Sequence, residues 1–152
     1  NEKYKTVIEA KLKYFAALKA KATKTKSGLE YVITKKGGGK KPKIGTGIFI
    51  HYAGFLENGT MFDSSIESAC KTFGTFDPNR AAQNGYQAIP FQAGKKDGMI
   101  PGFIEGIEQL SFGDKAVLFI PSKLGFAEAG AGEVIPPNAN LIFEIELMKP
   151  NK

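Results

Sequence analysis

The 152-residue chain is 42% hydrophobic and 24% charged, with 18 glycines, the length and composition of one globular domain with a real core, in which two full domains would be crowded. Its net charge of +6 is unevenly placed: residues 1–45 carry 13 lysines against Glu2, Glu9 and Glu30, giving +10, and the remainder carries −4. No stretch approaches the ~18 consecutive apolar residues of a membrane span. The lysines lack the interleaved arginines and aromatic residues of a nucleic-acid surface, and Cys70, the only cysteine, excludes an internal disulfide.

From Tyr4 to Ala22, the apolar residues Tyr4, Ile8, Leu12, Phe15 and Leu18 recur at spacings of three and four, which predicts an amphipathic helix. The polar run from Thr23 to Ser27, closed by Gly28, then reads as a linker, so residues 1–27 are expected to be an appendage to a domain over 28–150. Such a stripe must be covered, by the domain itself, a twin copy or a partner.

Beyond Gly28 the period becomes two. Leu29, Tyr31 and Ile33 alternate, as do Ile48, Ile50 and Tyr52 after the glycines Gly37 to Gly39, and both runs predict strands. Asn58-Gly59 marks a tight hairpin, after which Met61 and Phe62 begin the returning strand. Residues 66–89 lose the alternation; within them Asp77-Pro78 reads as the start of a short helix and Asn84-Gly85 as its stop. An excursion this long is either a lid or an inserted decoration.

Pro90 to Ala93 resumes an extended segment. Ile100, Phe103, Ile104, Ile107 and Leu110 then form a helical stripe opened by Pro101, apolar enough to be buried against a sheet. Residues 116–120 and 141–147 are strands, and the Glu144 and Glu146 side chains of the last are expected to face water. Several strands, one central helix and long loops predict an α+β domain with a twisted antiparallel sheet.

Residue chemistry narrows the reactions available. His51 stands alone in a strand, too few ligands for zinc, and reads as an ordinary strand residue. Ser64 and Ser65 beside Asp63 lack a nucleophile elbow, and Gly37-Gly38-Gly39-Lys40 lacks the spacing of a phosphate-binding loop. No metal or cofactor is implied. The aromatic and aliphatic residues at segment ends (Tyr52, Phe62, Phe91, Ile100, Phe103, Phe126, Ile135, Phe143) are either core or, if they converge, the lining of an apolar pocket with few polar groups.

The strings Ile50-His51-Tyr52-Ala53-Gly54-Phe55-Leu56, Asn58-Gly59, Phe62-Asp63-Ser64-Ser65, Pro90-Phe91, Ile100-Pro101-Gly102-Phe103, Ile120-Pro121, Ile135-Pro136-Pro137-Asn138-Ala139 and Leu141 to Leu147 together resemble the FKBP-type peptidyl-prolyl isomerases, the tacrolimus-binding immunophilins. They occur in family order over residues 29–148. The resemblance implies a sheet of five or six strands wrapped around one short helix near 101–110. It implies a catalytic group of Asp63, Tyr52, Phe62 and Phe143, with substrate bound by Phe91, Met99, Ile100, Phe103, Phe126 and Ile135. Phe103 would form the pocket floor, and the Ile100 backbone N–H would donate to a ligand carbonyl.

The implied reaction needs no nucleophile. An X-Pro bond turns slowly because amide resonance holds it at a barrier of about 18–20 kcal/mol. Its twisted transition state has lost resonance and tolerates an apolar site better than the planar amide does. Asp63 would act electrostatically and by orienting its neighbours, because isomerisation moves no proton.

Departures from the family pattern carry expectations of their own. Phe103 stands where tryptophan is commonest, Phe126 where a tyrosine usually donates a hydroxyl, and Ala93 at a position usually aromatic. They predict a looser grip on tacrolimus-type macrolides and reduced activity. The implied partners are proline-containing polypeptides, with a binding module or folding chaperone of weak catalysis as the alternative. The N-terminal helix leaves a homodimer open. Asn1 in place of an initiator methionine suits a trimmed precursor. The expected location is the cell envelope or periplasm, with a lipoprotein tether lying outside this chain; a cytoplasmic location is the alternative.

Overall fold

In the computed structural model, which describes residues 2–132 and 134–150, seven strands form one antiparallel sheet: β1 (Thr23–Lys24), β2 (Glu30–Lys35), β3 (Gly47–Leu56), β4 (Met61–Ser64), β5 (Ile89–Gln92), β6 (Lys115–Ile120) and β7 (Leu141–Leu147). Four α-helices accompany them: α1 (Lys5–Lys19), α2 (Glu67–Phe73), α3 (Pro78–Ala82) and α4 (Pro101–Glu108). The strand order is β1-β2-β6-β7-β3-β4, with β5 also paired to β3. β7 lies along one edge of β3, while β5 and β4 follow each other along the other, β5 against Gly47 to Ile50 and β4 against Ala53 to Phe55.

Both faces of the sheet are covered, which explains why every residue of β6 from Ala116 to Ile120 is buried. On the inner face, Leu118, Ile120, Leu141, Phe143 and Ile145 close over α4 with Phe103 and Ile107. Gly106 permits the approach: a Cβ there would sit 2.3 Å from Leu118 Cδ1. Ile100 precedes α4 in extended backbone and Pro101 opens it, where a missing N–H costs nothing.

On the outer face α1 lies against its own domain. Phe15 meets Phe55 edge-on at 5.2 Å and Phe119 at 6.4 Å, and Leu18, Val117 and Ile142 share that second core. Glu144, expected in water, instead faces the helix and accepts from Lys11 Nζ at 2.8 Å. The side chains along β7 do alternate between the two faces, but the face that Glu144 points to is covered by α1.

Two elements escape the sequence pattern. The stretch read as a linker contains β1, whose Thr23 and Lys24 pair with Tyr31 and Glu30; a pairing made by main-chain atoms leaves no apolar alternation. The excursion at 66–89 holds two helices where one was expected. α3 has the predicted start, with Asp77 accepting from the Asn79 N–H at 2.9 Å, and Asn84 follows it at φ +57°. The additional helix, α2, is short and docks by Cys70, buried, and by Phe73, edge-on to Phe55 at 5.2 Å.

Candidate active site

Four rings from four elements converge on the inner face. Phe143 of β7 lies 5.5 Å from Phe62 of β4 and 5.2 Å from Phe103 of α4, both edge-on. Tyr52 of β3 joins them at 6.4 Å from Phe103 and from Phe143. Edge-to-face contacts of this kind fix ring orientation as well as bury area. Gly54 makes room for them: a Cβ there would come within 2.5 Å of Phe62 Cζ and 3.0 Å of Phe143 Cε2. Phe91, Met99, Ile100 and Phe126 are half-buried and pack against the inner-face core that contains Phe103 and Phe143, and Ile135 is buried in that core. The apolar residues named from sequence all belong to that core or pack against it. The Ile100 N–H takes no part in the hydrogen bonds of the described residues.

Asp63 supplies the charge at the edge of this cluster. One carboxylate oxygen accepts from the Tyr52 hydroxyl; the other accepts from Arg80 Nη1 at 2.7 Å and from the Ser64 N–H at 2.8 Å. Burial first, then the bond to Asp63, raises the Tyr52 phenol well above its ordinary value, so it remains a donor at any physiological pH. Burial alone would lower the Arg80 guanidinium, but the hydrogen bond and charge of Asp63 turn its shift upward.

Arg80 is the site residue that sequence reasoning missed. It belongs to α3, inside the excursion, and its Nε donates to Gly85 O at 3.0 Å while its guanidinium lies 4.3 Å from the centre of the Tyr86 ring. Tyr86 stacks on Phe76 at 6.0 Å and accepts from the Asp77 N–H at 2.9 Å. The available signal was compositional: in a chain of twenty lysines, position 80 is the only arginine. A planar guanidinium can serve two acceptors in different directions, which an ammonium does less well.

The serines after Asp63 hold the strand behind it. Tyr52 donates its N–H to Ser65 Oγ at 2.8 Å, and its carbonyl accepts from the Ser64 hydroxyl at 2.7 Å and the Ser65 N–H at 3.0 Å. These bonds fasten the stretch of β3 that lies between the end of β4, opposite Ala53, and the start of β5, opposite Ile50. His51 is placed 2.9 Å from Ser65 Oγ through Nδ1, part of that fastening and not of the aromatic cluster. Among the described residues no three His, Cys, Asp or Glu side chains are grouped to hold a metal. The arrangement offers a water-excluding surface for a compact apolar ring, beside a carboxylate whose charge is balanced and whose position is fixed.

Comparison with known proteins agrees with this geometry. The family model for FKBP-type peptidyl-prolyl cis-trans isomerase matches residues 38–148. A probable FKBP-type peptidyl-prolyl cis-trans isomerase FkpA of Neisseria meningitidis is 38% identical over 97% of this chain and 49% of its own length. FK506-binding protein 1 of Dictyostelium discoideum is 36% identical over 80% of this chain and 96% of its own. The crystal structure of FkpA from Escherichia coli superposes with a TM-score of 0.64 at 27% identity, covering 97% of this chain and 59% of that one. The chain spans about half the length of the Neisseria FkpA relative. From the matched region and the cluster it builds, the chain belongs to the FKBP-type peptidyl-prolyl cis-trans isomerase family.

Proposed function

We propose that this protein accelerates rotation about X-Pro peptide bonds in other polypeptides. The observation that carries the reading is the convergence of Tyr52, Phe62, Phe103 and Phe143 beside a fixed Asp63. A prolyl ring seated on those faces leaves water, and its amide enters a setting that favours the twisted, less polar form over the planar one. Each ~1.4 kcal/mol of that difference is worth tenfold in rate. Phe91, Met99, Ile100, Phe126 and Ile135 bind the flanking residues, and the Ile100 N–H is the donor for a client carbonyl. Asp63 acts without transferring a proton. Its charge, balanced by Arg80 and hydrogen-bonded by the Tyr52 hydroxyl, holds the wall of the site in one arrangement and orients the amide dipole.

On this reading residues 28–150 form the isomerase unit and residues 1–27 an accessory element. Tacrolimus-type macrolides are the small-molecule ligands, held less tightly where Phe126 offers no hydroxyl. Clients are proline-containing chains in the cell envelope, a location supported by likeness to bacterial FkpA proteins along almost the whole chain. A homodimer through α1 would use the half of the helix that carries Tyr14, 42% exposed. The test is cis/trans exchange of an apolar-X-Pro peptide. Wild-type protein is expected to accelerate it, with Asp63→Ala and Phe62→Ala slower by about tenfold each and still folded by circular dichroism. No acceleration by the wild type would overturn the reading.

A further inference from the structure

Beyond the isomerase site, the loop between β2 and β3 builds a basic surface with an apolar tip. Lys35, Lys36, Lys40, Lys41 and Lys43 fall within nine residues, and no acidic residue occurs from Tyr31 to Leu56. All five are exposed. The backbone beneath them is pinned: the Gly37 N–H donates to Asp114 Oδ1 at 2.8 Å, the Gly39 N–H to Phe112 O at 3.3 Å, and Lys40 O accepts from the Phe112 N–H at 2.9 Å. These lysines therefore project from a held loop and not from a floating tail.

Other parts of the fold add cations to the same end. Lys115 sits opposite Lys35 in the β2–β6 register, Lys149 packs on Gly113 beside Gly37, and Lys95 and Lys96 flank a shared groove with Lys41 and Ile44. The acids facing them are Glu108, which takes Lys96 at 2.5 Å, Asp97, which lies 3.8 Å from Lys95, Glu146, opposite Lys115, and the buried Asp114. Nine lysines against four carboxylates leave a large positive excess. Like charges directly opposite on a sheet are destabilising, so the Lys35–Lys115 pairing does not serve the fold. At the tip, Ile44 is 89% exposed, the most exposed of the large apolar residues described here.

We infer that this surface is a docking face for an anionic lipid bilayer. The lysines supply attraction to acidic headgroups, about fivefold in partitioning for each one near the surface, and Ile44 supplies an apolar side chain that can enter the interface. The face gathers at the C-terminal end of α4, where Lys41 Nζ donates to Glu108 O at 2.9 Å. Ile100 and Phe103 of the isomerase site lie at the other end of that helix, roughly 10 Å away along its axis. Phe91 lines the groove that Lys41, Ile44, Lys95 and Lys96 flank, so the docking face borders the client-binding side of the site.

The test is co-sedimentation of the full chain with vesicles of phosphatidylcholine alone or with about one part in three phosphatidylglycerol. Binding to the anionic vesicles only, weakened by salt, is expected. Changing Lys35, Lys36, Lys40, Lys41 and Lys43 to Gln should abolish it, whereas changing Lys5, Lys13, Lys21, Lys24 and Lys26 to Gln, an equal loss of charge, should leave it nearly intact. Ile44→Ser should weaken it severalfold with no change in salt dependence. Thermal melting verifies that each variant folds. No binding to anionic vesicles, equal loss in the two five-lysine variants, or an Ile44→Ser protein that binds like wild type would overturn the inference.

Discussion

At the residue scale, Asp63 depends on groups distant in sequence. The Arg80 and Asp63 side chains are 29% and 39% exposed, so their pairing is partly screened by water and its value lies chiefly in geometry. Arg80→Met should therefore lower kcat/KM for an X-Pro peptide by roughly tenfold with a small loss of stability. Arg80→Lys should restore only part, because one ammonium does not reach both Asp63 and Gly85 O; stopped-flow exchange kinetics on both variants decides this. Tyr52 adds a pH dependence. Its phenol titrates higher in the folded protein than the ordinary ~10 of an unfolded tyrosine. The folded form thus keeps a proton that the unfolded form releases, so this contribution is complete below about pH 10 and is lost as pH rises above it, at up to ~1.4 kcal/mol per pH unit. Urea unfolding between about pH 9 and 11 should show a shallower decline in Tyr52→Phe than in wild type.

At the element scale, α1 is the part whose role changed most between sequence and structure. Its periodicity gave the helix, and its apolar stripe required a cover, yet nothing in residues 1–22 indicates which surface provides it. The answer lies in Phe55, Phe119 and Ile142, strand residues that alternation assigns to a face without saying what lies on it. Phe15→Ala should cost about 3 kcal/mol by removing a buried ring from that interface, read as a lower urea midpoint with unchanged isomerase rate. Deleting residues 1–22 should expose the outer face and make the protein bind a hydrophobic dye and self-associate in sedimentation velocity. β1 and α2 were illegible for a related reason. A two-residue edge strand is recorded in main-chain bonds, and a seven-residue helix is too short to display a period.

At the scale of the whole molecule, the strands, the central helix and the apolar half of the site could be read in the sequence because each repeats or sits in a recognisable string. Arg80 could not, since its meaning depends on a chain path that returns over β4 after wandering through two helices. The excursion leaves the sheet after Ser64, opposite Ala53, and re-enters at Ile89, opposite Ile50. Those points on β3 are three residues, about 10 Å, apart. Replacing residues 67–87 by a short Gly/Ser loop should therefore give a protein with a single cooperative melt, while activity falls at least as far as in Arg80→Met. Closing a longer loop between two fixed, neighbouring posts adds little entropic cost, about 0.6 kcal/mol per doubling of length. The gap in the edge of β3 is in that sense a socket: foreign modules of many sizes can be spliced there without renegotiating the sheet, provided that each returns one cation to Asp63.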